Sequence, residues 1–225
     1  MTYAVHIAKG CLIASLLSFI CAFPVLPINA VRATDDFSRL EQDVFDEINQ
    51  ARTNPGSYLS YLKDLRRLYA GKQIRLAGNY VINTKEDVRA VDEAYQYLRD
   101  TNSIPSLTWS NGMSLGAMDH VAEQGPTGET GHRSGDGRQP WDRINQYGEG
   151  RGMIAQNIAY GKLPAHMMVL EFIIDDGIPD RGHRKNIFNP ELRYAGVACG
   201  DHKLFGIMCV IDFAGEYVET GGDRP

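Results

Sequence analysis

The sequence predicts an α+β fold built as a single domain. Apolar residues recur at helical spacing through most of the chain, whereas β-branched and aromatic residues flank a tight turn near the C-terminal end. Because the helices come first and an antiparallel strand pair comes last, the order differs from the alternating pattern of a βαβ protein. The chain has 225 residues, 43% of them hydrophobic, which suits one domain with a sizeable core.

The first 33 residues differ in composition from the rest. A start with one basic residue, Lys9, precedes the apolar run CLIASLLSFICAF, and small residues follow. This order is typical of a secretory signal peptide, with cleavage after Ala30 or Ala33. The apolar run is shorter than the roughly 20 residues of a membrane span, so an uncleaved anchor is the lesser alternative. We therefore expect a secreted protein, extracellular or periplasmic, whose domain covers residues 34–225.

The first helix is predicted to begin near Ser38. Ser38 and Glu41 have the spacing of a capping box. One helical stripe follows, and the sequence Asn-Pro-Gly at 54–56 ends the helix. The stripe consists of Leu40, Val44, Ile48 and Ala51.

Four further helices are predicted by the same periodicity. They cover residues 58–69, 85–99, 111–124 and 164–174. Thr84 is a candidate cap for the third helix, and Leu115, Met118 and Ala122 are the expected inward residues of the fourth. Residues 71–83 and 125–152 are expected to be mostly irregular, and 153–160 to be partly strand.

The C-terminal segment 194–213 reads as a β-hairpin with its turn near Leu204. In that hairpin, Cys199 and Cys209 would face each other across the two strands. An exported chain permits a disulfide between them, and two buried free thiols are the alternative.

Two of the histidines stand out. His132 and His183 each follow a glycine and precede an arginine within a polar segment, and Asp175 and Asp176 come shortly before His183. Imidazoles on such segments are well placed to meet a ligand. A site of two histidines and a carboxylate is therefore plausible, with a hydrogen-bonded polar turn as the alternative. For His120, His166 and His202 we expect solvated or hydrogen-bonded side chains.

Several function classes find no support in the sequence. The net charge of −5 and the lack of a long basic run argue against a nucleic-acid partner. The motifs of phosphate-binding loops, dinucleotide-binding folds and serine hydrolases do not occur.

Four motifs in order resemble one family. The stretches LTWSNGMSLGAMDHVAEQG, AQNIAYG, RGHRKNIFNPELRYAGVACG and CVIDFAG are similar to those of the CAP superfamily, whose domain is also called the SCP domain. The group includes cysteine-rich secretory proteins, antigen 5 and pathogenesis-related proteins. The resemblance spans about residues 45–214.

The resemblance implies a three-layer α-β-α sandwich with a central cleft. His132 and His183 match the two histidines of the cleft, and Asp175 falls where one of two acids is expected. The second acid normally precedes the asparagine of a Glu-Asn pair, but Gln156 stands there. An amide keeps an acceptor oxygen, yet it loses a charge and cannot act as a general base.

Three functions follow as hypotheses. The first is a ligand-binding or interaction module with weak divalent-metal binding, for example of zinc, at His132, His183 and Asp175. The second is a metal-dependent hydrolase acting on a peptide or a cell-envelope component, for which Glu129 or Glu149 would have to serve as base. The third is a carrier of lipid or sterol. The partner is an unknown extracellular ligand, and contact with a membrane is expected only through an uncleaved anchor.

Overall fold

The computed structural model describes residues 31–75 and 81–220, and side chains from Phe37 onward. The leader predicted at residues 1–33 therefore lies almost wholly outside the described residues. In the described part, helices cover both faces of a central sheet, as the predicted α+β sandwich requires.

The central sheet has four strands. They are β4 (Thr108–Trp109), β5 (Gly148–Tyr160), β6 (Tyr194–His202) and β7 (Gly206–Glu219), in the order β4-β6-β7-β5. The strands β5, β6 and β7 pair antiparallel, and β4 pairs parallel to β6. In the described residues, β5 is therefore an edge strand, and this edge carries the candidate site.

Alternation along the strands divides the core in two. Val197, Ile211 and Phe213 belong to the larger cluster on one face, whereas Ala198 and Val210 belong to a smaller cluster on the other. Successive strand residues point to opposite faces, so two buried faces produce the nearly continuous apolar runs of β6 and β7.

Helices of the first layer pack on the larger cluster. They are α1 (Val31–Thr53), α3 (Arg89–Asp100), α6 (Ala165–Ile174) and α7 (Gly182–Ile187), with a 3₁₀ turn (Pro55–Tyr58) and α2 (Leu59–Arg66) beside them. From the predicted stripe of α1, Val44, Ile48 and Ala51 are fully buried. The helical period therefore identified the inner face of α1 correctly.

The capping box predicted at Ser38 is wrong. The helix α1 begins earlier, at Val31, so Ser38 lies inside it. Glu41 accepts a hydrogen bond from the backbone N–H of Cys199 on the central sheet instead. A tertiary contact thus explains this acid better than a local cap does.

The opposite layer consists of α4 (Asn111–Thr127) and α5 (Pro140–Ile144). Ser110 caps α4 by accepting from the N–H of Met113. The inward residues predicted for α4 are partly wrong, because Met118 is 40% exposed and Ala122 is exposed. The buried face includes a histidine, a glutamine and glycines, which an apolar pattern does not reveal. It is formed by Met113, Gly116, Ala117, His120, Val121 and Gln124.

The segment between α2 and α3 is more ordered than predicted. A small antiparallel sheet forms there from β1 (Tyr69–Ala70), β2 (Gln73–Arg75) and β3 (Val81–Asn83). The helix α3 begins at Arg89, so Thr84 does not cap it. Thr84 Oγ1 instead donates to the carbonyl of Glu86.

The predicted disulfide between Cys199 and Cys209 is confirmed. The two residues are direct register partners on β6 and β7, with Cα atoms 4.1 Å apart, and their sulfur atoms are bonded. The bond closes the hairpin that turns at residues 203–205. Among the helices of residues 31–75 and 81–220, none has both the length and the apolarity to cross a bilayer.

Candidate functional site

Two neighbouring residues of the edge strand β5 hold the site from opposite faces of the sheet. Gln156 points to the α4 side and contacts His132, whereas Asn157 points to the α7 side and contacts the backbone of His183. Because strand side chains alternate, a Gln-Asn pair on an edge strand can reach both layers. This explains how segments from different layers bring two histidines to one edge.

The loop that carries His132 is fixed by buried side chains. The carbonyl of Gly131 accepts hydrogen bonds from His120 Nε2 at 2.8 Å and from Gln124 Nε2 at 3.0 Å, both on α4. Arg143 on α5 is fully buried and donates from Nη2 to the carbonyl of His132 at 3.0 Å. The loop is thus irregular in backbone but held at both residues.

The imidazole of His132 is oriented by an amide. Its Nδ1 lies 2.9 Å from Oε1 of Gln156, which is buried. An amide oxygen only accepts, so Nδ1 carries the proton and Nε2 keeps a lone pair. The surrounding protein removes water from the ring, and this desolvation lowers the pKa of His132. The neutral imidazole, which is the form that binds metals, is therefore favoured.

The imidazole of His183 is oriented by a carboxylate. Asp175 Oδ1 lies 2.6 Å from His183 Nδ1, and Oδ2 accepts from the backbone N–H of His183 at 2.9 Å. Asp175 is fully buried and ends α6 in the left-handed conformation, with φ of 55°. It therefore links the end of α6 to the start of α7 and fixes the ring at the same time.

Arginine–glutamate pairs hold the segment between Asp175 and His183. Arg181 contacts Glu86 and Glu93, and it also donates from Nη1 to the carbonyl of Asp175 at 2.9 Å. Arg184, which is buried, contacts Glu93 at 2.9 Å. The charges around His183 are consequently a structural network rather than a solvated turn.

The structure brings the four predicted cleft residues together as two pairs. The pairs are His132 with Gln156 and His183 with Asp175, and the two imidazole centroids lie 6.5 Å apart. The Nδ1 atom of each ring is hydrogen-bonded to Gln156 or to Asp175, so Nε2 is the nitrogen of each ring that can contact a ligand. Of the bases considered from the sequence, Glu149 forms an ion pair with Arg151.

The three-ligand metal set His132, His183 and Asp175 is not assembled. Both oxygens of Asp175 already accept hydrogen bonds from His183. Within the described residues, no group of three or more His, Cys, Asp or Glu side chains has an arrangement that could hold a metal ion. Asp175 instead occupies the place of an outer residue that orients a histidine, an arrangement common behind metal-binding imidazoles.

Sequence reasoning missed three residues that support the site. Asn157 belongs to the motif AQNIAYG, which does not show what its side chain contacts, and Arg143 has no signal beyond its position in a polar stretch. Asp212 is fully buried and accepts from Gln156 Nε2 at 2.8 Å. A single acid within the apolar strand CVIDFA was the available signal, since carboxylates are rarely buried without a partner.

His120 and His202 are hydrogen-bonded, as expected. His120 Nε2 donates to the carbonyl of Gly131, and His202 Nε2 donates to the carbonyl of Glu129. The ring of His166 lies 5.4 Å from that of Tyr61.

An α-β-α sandwich with two imidazoles at a sheet edge is the architecture that the motif resemblance implied. The family model of the cysteine-rich secretory proteins, CAP, matches residues 45–213. The chain therefore belongs to the CAP family. No curated protein matches the chain.

Solved structures that are similar to this chain are distant from it in sequence. An extracellular SCP-domain protein from Bacillus anthracis is 14% identical, with a TM-score of 0.46, over 84% of this chain and 44% of that protein. An outer surface protein from Borrelia burgdorferi is 15% identical, with a TM-score of 0.44, over 64% of this chain and 98% of that protein. The present chain thus spans less than half of the first protein, and the family assignment rests on the sequence match.

Proposed function

We propose that this chain is a secreted CAP-domain binding module whose His132–His183 cleft binds a divalent cation weakly. The observation that supports this is the facing pair of imidazoles, 6.5 Å between centroids, each with Nδ1 engaged from behind. Two neighbouring imidazoles whose Nε2 atoms are left for a ligand suit zinc, for which neutral imidazole is a preferred ligand. The leader-like residues 1–33 support secretion.

The donor set fits an exchangeable ion and does not fit a permanent one. Structural zinc sites have four protein ligands and catalytic sites usually three, whereas His132 and His183 offer two nitrogens. Water or a group of the bound ligand would complete the coordination. A bound cation would supply a positive charge that attracts a carboxylate or phosphate of the ligand. We therefore expect zinc affinity in the micromolar range or weaker.

The hydrolase hypothesis is less well supported, because a general base has to reach the substrate. Gln156 cannot serve as a base, and both oxygens of Asp175 are engaged by His183. The polar wall formed by His132, Gln156 and His183 does not favour a lipid or sterol in this cleft either. Binding is thus the function that the geometry supports best.

Zinc titration by calorimetry tests the proposal. The mature protein should bind one zinc ion per chain, and His132→Ala and His183→Ala should each abolish binding, because a single imidazole is left. His166→Ala is the matched control, since this histidine lies against Tyr61 and away from the cleft, and its zinc binding should equal that of the wild type. Wild-type binding that persists in both cleft variants would refute the proposal, as would a wild type that binds no zinc.

A further inference from the structure

Behind His132 lies a second buried carboxylate that neither the motifs nor the cleft geometry had assigned a role. Asp212 on β7 is the register partner of Gln156 on β5, so both side chains point to the α4 face of the sheet. Gln156 Nε2 donates to Asp212 Oδ1 at 2.8 Å, and Gln156 Oε1 faces His132 Nδ1 at 2.9 Å. The three side chains form one chain of hydrogen bonds from the core to the cleft.

The position of Asp212 is costly for the fold. The residue is fully buried, and Oδ2 has no hydrogen-bond partner among the described residues. Burial of a carboxylate with an unpaired oxygen opposes folding, so its presence in an apolar strand calls for a compensating role. Burial raises the pKa of Asp212 to about 7, although the guanidinium of Arg143 and the hydrogen bond from Gln156 act in the opposite direction, so the carboxylate is ionised above that pH.

An ionised carboxylate removes the ambiguity of the amide. The side chain of glutamine can point either its oxygen or its NH₂ group at a neighbour. Because an ionised Asp212 only accepts, the NH₂ group of Gln156 must face it, and the amide oxygen must face His132. That oxygen in turn requires a proton on Nδ1 of His132, which leaves Nε2 unprotonated.

We propose that Asp212 is a positioning residue of the cleft: through Gln156 it selects the Nδ1–H tautomer of His132 and directs the bare Nε2 toward the ligand. Asp175 does the same for His183 without an intermediate. The site thus has two orienting carboxylates, one in direct contact and one acting through an amide. The role of the unprotonated Nε2 in cation binding rests on the proposed function. The assignment of the Nδ1–H tautomer to His132 does not depend on that function.

Long-range ¹H–¹⁵N NMR of the metal-free protein at pH 8, where Asp212 is mostly ionised, reports the tautomer of each imidazole. In the wild type, both His132 and His183 should show the Nδ1–H pattern. In Asp212→Ala, Gln156 loses its acceptor and can turn its NH₂ group toward His132, so His132 should change to the Nε2–H pattern. His183 should keep its pattern and serves as the internal control. A folded Asp212→Ala protein in which His132 remains Nδ1–H would overturn the proposal.

If Asp212→Ala does not fold, a second test exchanges the amide and carboxylate groups of residues 156 and 212. Gln156→Glu alone places two carboxylates against each other in the core and should lower the melting temperature. Adding Asp212→Asn restores a donor–acceptor pair with the polarity toward His132 unchanged. The double variant should therefore recover stability over Gln156→Glu and show the Nδ1–H pattern at His132. A double variant less stable than Gln156→Glu alone, or with His132 as Nε2–H, would contradict the proposal.

Zinc titration separates this proposal from the proposed function. Loss of an orienting outer residue typically lowers metal affinity by about 10- to 100-fold, and we expect that range for Asp212→Ala. A wild type with the Nδ1–H tautomer that binds no zinc would refute the binding function and leave the role of Asp212 intact. A wild type that binds zinc but carries His132 as Nε2–H in the metal-free state would refute the role of Asp212 alone.

Discussion

At the scale of single residues, Asp175 has several structural tasks at once. It ends α6 in the left-handed conformation, accepts the backbone N–H of His183, and fixes the ring of His183. Aspartate and asparagine tolerate positive φ better than other non-glycine residues, because their short side chains bond locally. The residue type at 175 is therefore restricted by the backbone as well as by the cleft.

Replacement of Asp175 tests how these tasks divide. Asp175→Asn keeps the conformation and one acceptor but loses the charge, and we expect the free energy of unfolding to fall by about 2 kcal/mol. Asp175→Ala also loses the backbone link at positive φ and should cost more, about 3 kcal/mol or above. Urea denaturation measures both. The matched control is Asp180→Asn in the same segment, which is exposed and should change stability by less than about 0.5 kcal/mol. Equal effects of all three changes would contradict this account.

At the scale of elements, predictability depended on whether an element is defined by its own pattern or by its neighbours. The stripe of α1 and the hairpin β6–β7 were predicted from periodicity, and so was the facing of Cys199 and Cys209. The start of α1 and the small sheet β1–β3 were not, because tertiary contacts and very short strands decide them. The helix α7 has only six residues, most of them polar, so it has no apolar stripe from which periodicity could predict it.

The candidate site likewise contains residues that the sequence predicts and residues that only the tertiary structure reveals. His132, His183 and Asp175 were found because glycine, charge and motif order mark their segments. The contact of Asp175 was not predicted: the carboxylate was expected to bind a metal, and in the structure it accepts hydrogen bonds from His183. Asp212 lies 56 positions from Gln156, and only the register of β5 and β7 brings them together. Spacing along a sequence carries no information on that register.

The contact between α4 and the sheet depends on glycine. A Cβ atom at Gly196 on β6 would overlap the backbone of Met113 and Ser114, and one at Gly116 would meet the backbone of Ile144. Backbone cannot move aside as a flexible side chain can, so the close approach of α4 requires glycine at these positions. Gly196 is also a register partner of Asp212, so this packing helps to bury the carboxylate.

Gly196→Ala should therefore destabilise the protein by about 3 kcal/mol, at the upper end of the range for overpacking. The matched control is Gly56→Ala in the 3₁₀ turn, where a Cβ would have its nearest neighbour at an ordinary 3.7 Å. That change should alter the free energy of unfolding by less than about 0.5 kcal/mol. Thermal and urea unfolding of both variants measure these changes in the free energy of unfolding. A Gly196→Ala protein as stable as the control would show that α4 can shift outward freely.

At the scale of the whole molecule, two buried groups give stability opposite dependences on pH. Burial lowers the pKa of His120 to about 4 from an ordinary 6.5, and burial raises the pKa of Asp212 to about 7 from an ordinary 3.8. The stability from the neutral His120 is present above pH 6.5 and is lost as the pH falls toward 4. The stability from the protonated Asp212 is present below pH 3.8 and is lost as the pH rises toward 7. Between these values the two contributions oppose each other, so the wild type should show a shallow profile.

Asp212→Asn separates the two contributions. It removes the ionisable group while keeping the size and an acceptor oxygen, so the variant should gain stability relative to the wild type as the pH rises from 4 to 8. The gain is at most about 4 kcal/mol, because a shift of one pKa unit corresponds to about 1.4 kcal/mol. The variant itself should lose stability on acidification from pH 6.5, as His120 alone then dominates the pair. Urea unfolding at pH 4, 6 and 8 measures the difference, with far-UV circular dichroism to verify the fold at each pH. A difference between variant and wild type that is independent of pH would mean that Asp212 keeps an ordinary pKa, and that the core around Arg143 solvates its charge.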